Sequence, residues 1–277
     1  MPRRLLKPLH RNRDFLERAS LALVLPFVAG LINAEGFFIV GVYTSHVTGT
    51  VAHAAEAVAR GQFPVAFPAL LLVLAFFTGA ACATALVERT RDAIDHTGRA
   101  RYASALGMEV LTLSAVTVLG LYTPVRSRGL QLITTVLLSF SMGAQNALVS
   151  KLSGAVVRNT HLTGIVTDLG IESVRAWRWF RATTRSLPLA GVLHVLTHLR
   201  AYPELRRLRL HAAIFGSFFA GAVIGPLMYL RDGYIAMLLP IAVLAALMIF
   251  DVGIGLRGNE PGAANTPGPA NAVPPAT

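Results

Sequence analysis

Thr44-Ser45-His46-Val47-Thr48-Gly49-Thr50-Val51 and Asn159-Thr160-His161-Leu162-Thr163-Gly164-Ile165-Val166 are two versions of one phrase, His-apolar-Thr-Gly-x-Val. An apolar segment carrying Asn-Ala precedes each copy, at Asn33-Ala34 and at Asn146-Ala147. A later apolar segment carries Phe-Phe-x-Gly-Ala, from Phe76 to Ala80 and from Phe218 to Ala222. Three landmarks recurring in the same order read as two copies of one unit.

The 277 residues are 54% hydrophobic and 14% charged, which sets the chain apart from ordinary soluble domains. The apolar residues cluster into six stretches, near 20–42, 65–87, 103–122, 129–150, 209–230 and 233–256. Each approaches or exceeds the roughly 20 residues a helix needs to cross a bilayer. None shows the polar stripe of a water-soluble bundle helix. The net charge of +11 raises the question of nucleic acid, but its placement argues for a membrane and for no nucleic acid. With six spans and an internal N-terminus, only Arg60, Arg126, Arg128 and Arg231 of the 25 Lys and Arg fall outside. That asymmetry is the positive-inside rule, and it predicts cytoplasmic N- and C-termini. The first apolar stretch is too long for a cleaved signal, so it reads as a retained span. Cys82 lies alone in an apolar helix and reads as a small packing residue, with no intramolecular disulfide.

Taken in order, residues 1–19 form a basic lead-in. Residues 20–122 make a first three-helix repeat and 123–256 a second, and 257–277, rich in Pro, Ala, Gly and Asn, form a disordered tail. Pro26, Gly30 and Gly41 loosen the first span. Glu35, a carboxylate in its outer third, faces either a cavity or the surface. Thr48 reads as the N-cap of a helix only about half a span long, either re-entrant or flat on the outer surface. Gly79 and Ala83 have the spacing of a helix-packing device. Glu109, one to two turns in from the cytoplasmic side, reads as a snorkelling residue, with a proton-linked carboxylate as the alternative. Gln145 and Asn146 are amides at membrane depth. Thr163-Gly164 starts a second short helix, with Asp168 where the first copy has His53. From Thr48 to Phe76 is 28 positions and from Thr163 to Phe218 is 55, so the second copy carries an insertion around 175–209. Its tryptophans and arginines suit a helix in the inner interface. His194, His198 and His211 have loose metal-like spacing, but without a carboxylate or thiol beside them they give no metal site, and no cofactor is called for.

Three spans per unit is an odd number, so the second copy enters from the opposite side. The expected fold is therefore an all-α integral membrane protein of six transmembrane helices, arranged as two inverted three-helix repeats, each with a short broken or re-entrant helix. Two half-helices meeting at the midplane would place Asn33, Thr44, Ser45, His46, Thr48, Gly49, Asn146, Thr160, His161, Thr163, Gly164 and Asp168 around one substrate site. Helix starts favour anions, and histidine, Glu35 or Glu109 would add proton coupling.

The run Gly143-x-x-Asn146-Ala147-Leu148-Val149-Ser150-Lys151-x-Ser153-Gly154-Ala155-Val156-Val157-Arg158-x-Thr160-His161-Leu162-Thr163-Gly164-x-Val166-Thr167-Asp168-Leu169-Gly170 resembles the YoaK family of bacterial multi-pass membrane proteins, a domain of unknown function. Tyr43 to Gly49 is similar to the same family's first motif, except that His46 and Thr50 stand where the family has asparagines. The resemblance covers about residues 20–256 and implies a bacterial inner-membrane protein, without naming a substrate. The residues themselves favour a transporter or channel for a small polar or anionic solute, with a homo-oligomer left open. A non-catalytic scaffold or sensor docking through 175–209 is the alternative. An intramembrane hydrolase using Ser45, His46, Ser153, His161 or Asp168 is a further one, although no nucleophile elbow or metal motif singles those residues out.

Overall fold

The computed structural model describes residues 9–93, 101–122, 127–152, 162–198, 202, 205–253 and 256, with side chains from Leu23 onward except at 91–93. The basic lead-in before Leu9, the tail 257–277 and both Thr160 and His161 lie outside the described residues. The helices run α1 Leu9–Val40, α2 Val47–Ala59, α3 Phe63–Ala93, α4 Ala103–Tyr122, α5 Arg128–Leu152, α6 Leu162–Thr184, α7 Leu189–Thr197, α8 Arg206–Asp232 and α9 Leu238–Gly253. The stretch Gly233–Met237 between the last two is a 3₁₀ turn.

Among the described residues, five stretches are long and apolar enough to cross a membrane: Leu23–Val40, Phe63–Thr90, Ala103–Tyr122, Arg128–Leu152 and Arg206–Gly253. The last is 48 residues, far more than one crossing takes. Gly233, at φ +61, breaks it into α8 and α9, the fifth and sixth stretches of the sequence. The outer surface of the bundle identifies its solvent. The α3 window is among the most apolar, yet only 22% of it is buried. Phe67, Leu70, Leu74 and Phe77 stand exposed along α3, as do Phe219, Leu227 and Leu230 on α8. Apolar side chains exposed in continuous strips are stable in hydrocarbon, not in water. Cys82 belongs to this outer surface, and its neighbour Ala83 is the residue packed inside. The packing role expected of Cys82 is therefore Ala83's, one residue further round the helix.

Two close helix pairs hold the bundle together. On α1, Gly30 sits against the backbone of Phe218 and Ala222 on α8, while Gly221 on α8 sits against the backbone of Phe27 and Leu31. On α5, Gly143 sits against the backbone of Phe76 on α3, while Gly79 on α3 sits against Phe140. A Cβ at any of the four would collide with main-chain atoms. Helices approach this closely where small residues leave the backbone bare, and dispersion and Cα–H contacts then replace the hydrophobic drive that lipid does not supply. Gly30 is thus a contact surface and not a loosened joint. Hydroxyls add bonds across both pairs: Ser217 donates to the Leu23 carbonyl at 2.5 Å and Ser139 to that of Leu72 at 2.9 Å.

These registers also fix direction. α1 runs parallel to α8, and α3 parallel to α5. α1 runs antiparallel to α5, since Gln131 Nε2 donates to the Val40 carbonyl at 3.1 Å and Gly36 lies beside Leu138. α4 and α9 are antiparallel: Gly107 lies by Met248, Gly120 by Tyr234, and Asp251 accepts from Tyr102 N–H at 2.7 Å. α2 packs on α3, and α6 on α8.

Candidate functional site

The site starts where α1 stops. Gly41 takes φ +79 and its N–H returns to the Phe37 carbonyl, a glycine helix end. The chain then folds back along α1 instead of leaving the bundle. Ser45 comes to Asn33: its Oγ donates to Asn33 Oδ1 at 2.7 Å, and its N–H lies 3.4 Å from the same oxygen. Ser139 Oγ, which bonds the Leu72 carbonyl, also lies 3.2 Å from the carbonyl of Thr44. Ser139 is about 16 Å along α5 from its first residue, near the helix middle. α2 therefore starts deep among α1, α3 and α5. It runs 13 residues back to the turn that opens α3 at Phe63.

Its first residue is Val47 and its N-cap is His46, which makes no side-chain cap bond. The Thr48 cap expected from sequence is displaced because the reversal at 43–46 has already turned the chain into the helix, with His46 N–H bonded to Tyr43 and Val47 N–H to Ser45. Thr48 is exposed in the first turn. The His46 ring lies over Gly49, where a Cβ would strike it, so the glycine makes room for the imidazole. Thr44 is buried, and its hydroxyl has no partner. Removing the Ser45 hydroxyl leaves Asn33 Oδ1 without its short bond and unpins the start of α2. We expect Ser45→Ala to cost about 1–2 kcal/mol in detergent melts, with Ser45→Thr close to the parent. An unchanged melting temperature for the alanine variant would show that the reversal is held by other groups.

The second copy is built differently. α6 starts at Leu162, with Thr163 and Asp168 exposed, Gly164 half-buried and only Ile165 fully buried. It is 23 residues long against 13 for α2. The second short helix expected from sequence is thus a long one. The first copy meets Gly61 and Pro64 after one short helix, whereas the second meets no glycine or proline between Gly170 and Pro188. The insertion is accordingly the continuation of α6 to Thr184, followed by the separate short helix α7. The rings of His194 and His198 lie 4.2 Å apart at a 30° tilt, while His211 Nδ1 lies 3.1 Å from Glu172 Oε2, a carboxylate the sequence did not place beside it. No group of three metal-binding side chains forms among the described residues. Asn146 donates to the Met142 carbonyl within its own helix, at 2.8 Å.

The carboxylates depart furthest from expectation. Glu35 is fully buried, so it does not reach the surface. Glu109 is 1% exposed and does not snorkel, because α4 turns that face inward along with Leu106, Leu113 and Val116. Neither carboxyl has a hydrogen-bond partner, and the same is true of the fully buried Ser141 Oγ and both amide atoms of Gln145. Ser139 and Ser141 gave no sequence signal, since serine is common in helices of this kind. Asp251 is fully buried, accepting from Tyr102 and Leu256 N–H.

Long apolar helices with lipid-facing outer surfaces, folded around buried polar groups, define a multi-pass membrane protein. The chain belongs to the family described as "Protein of unknown function (DUF1275)", whose profile matches residues 21–250. It is 26% identical over 183 residues to UPF0700 transmembrane protein YoaK of Bacillus subtilis (strain 168), covering 65% of this chain and 77% of that protein. No solved structure matches at a significant level.

Proposed function

We propose that the two halves are inverted repeats around a central site, and that the protein carries a small polar or anionic solute across the bacterial inner membrane, as a channel or a carrier. The observation that carries this reading is the depth of the α2 start, beside Asn33 and the middle of α5. A helix that begins inside a membrane protein presents its positive end to whatever occupies the centre, and such ends recur at transporter binding sites. Two further features support it. The equivalent helices α1 and α5 run antiparallel. The glycine contacts also occur in matched sets, since Gly30 and Gly143 each precede their Asn-Ala by the same interval and each meets the first Phe of a Phe-Phe-x-Gly-Ala.

The test is flux of a panel of small anions and neutral polar solutes into proteoliposomes. We expect at least one solute to enter, with a loss of about tenfold in Asn33→Ala, a change of about 1.4 kcal/mol at the barrier. Thiol labelling of single cysteines at 46 and 161, in a Cys82→Ala background, should place the two positions on opposite routes of access. Labelling of both from the same face, or flux indifferent to Asn33, would end the central-site reading.

A further inference from the structure

The buried groups without partners lie at related depths. α4 and α5 are antiparallel neighbours: Leu119 and Gly120 share a recess with Leu130, Gln131 and Thr134. Counting inward from there at 1.5 Å per residue brings Glu109 level with Ser141. On α1, Val40 meets Gln131 and Gly36 meets Leu138, which sets Glu35 about one turn outward of Ser141. Gln145 lies one turn further in on the same face of α5 as Ser141. The recess itself is bounded by Ile39, one turn outward of Glu35 on the same face of α1, and by Tyr234. Recess, Glu35, then Ser141 and Glu109 at one level, and last Gln145 thus mark successive depths of the bundle.

Ionised carboxylates in such surroundings need a compensating charge, since burying one without a partner costs several kcal/mol. The protein supplies none there. Among the described residues no Lys, Arg or His is buried. α3 carries its charges, Glu88, Arg89, Arg91 and Asp92, only in its last turns, α5 has Arg128 and Lys151 at its two ends, and the charges of α8 lie in its opening and closing turns. α9 brings Asp251 near its last turn, where backbone N–H groups bond it and Arg101 lies near enough to act on it. Where Glu35 packs on α8 it meets Gly225, not the shell of oxygens that a metal cation requires. The cation that fits is a proton.

We propose that Glu35 and Glu109 are proton-binding sites on one polar file, entered from the recess at the outer ends of α1, α4 and α5, with Ser141 and Gln145 as the relay between and beyond them. The inference rests on the transport reading for its purpose, where it names the coupling ion, but not for its chemistry.

Dicyclohexylcarbodiimide, which modifies protonated carboxyls in apolar surroundings, tests it directly on the whole purified protein. We expect mass adducts at both Glu35 and Glu109 of the parent protein. Their formation should fall about tenfold per pH unit once the pH passes each site's midpoint. Glu35→Gln should lose the first adduct and keep the second, and Glu109→Gln the reverse. Absence of adducts at both positions across the pH range, in parent protein that melts cooperatively, would overturn the proposal, as would adducts with no pH dependence. The parent's labelling decides the matter even where a variant fails to fold. Because labelling reports proton occupancy and not solute, a failure of the flux experiment leaves this result standing, and the two readings fail separately.

Discussion

Valine at Gly143 is expected to leave no folded protein. The α5 glycine abuts the Phe76 main chain, and a side chain there meets backbone, which cannot rotate away as a flexible side chain would. Even Gly143→Ala should cost about 1–3 kcal/mol through overpacking, although alanine is worth roughly 1 kcal/mol more than glycine in a helix interior. Gly30, which meets Phe218 in the same way, should respond within about 1 kcal/mol of Gly143. Gly216, on α8 with open space around it, is the control: Gly216→Val should elute and melt like the parent. Gel filtration in mild detergent followed by thermal unfolding reads all four variants. A monodisperse Gly143→Val protein with an unchanged melting temperature would mean that α3 and α5 do not approach as described.

Asp251→Ala should be the next most damaging change. Its carboxylate accepts Tyr102 N–H and Leu256 N–H, both at 2.7 Å, in a fully buried position. It thereby caps the start of α4 from the far end of α9, and a carboxylate at a helix start is favoured by the helix dipole as well. Removing it orphans two buried donors at about 1–3 kcal/mol each, so a loss of roughly 3–5 kcal/mol is expected. Asp251→Asn keeps one acceptor and should lose about half as much. Equal melting temperatures for parent and alanine variant would show that water satisfies both N–H groups.

Much of this architecture was legible in the chain. Hydropathy located the membrane-spanning stretches, and the repeated Asn-Ala and Phe-Phe-x-Gly-Ala landmarks include or adjoin the glycines that meet across α1–α8 and α3–α5. The spacing of Gly79 and Ala83 announced helix packing, and Ala83 is indeed inside. What stayed hidden depends on contacts distant in sequence or on the rotation of a helix. Nothing local distinguishes a Glu109 turned inward from one that snorkels, because a uniformly apolar helix carries no stripe to set its phase; Cys82 was misread for the same reason. The length of α6 was misjudged because it was inferred from its counterpart, when the stop signal after α2, Gly61 and Pro64, is missing from the second copy. The Ser45–Asn33 bond joins two residues that each looked promising, but only the reversal after Gly41 brings them together.

The pairing of α1 with α8 has a bearing on biosynthesis. α1 is complete at Val40, yet the α8 residues it packs most closely against run from Ser217 to Gly225. At synthesis rates of about 5–20 residues per second the first helix leaves the ribosome on the order of ten to forty seconds before its α8 partner exists. α3 finds α5 far sooner, so the interior pair forms an early nucleus while the N-terminal helix waits in the lipid with its glycine face bare. A nascent chain halted after Leu152 would therefore hold its first helix against α5 alone, with the face meant for α8 uncovered, a ready substrate for membrane chaperones and quality-control proteases.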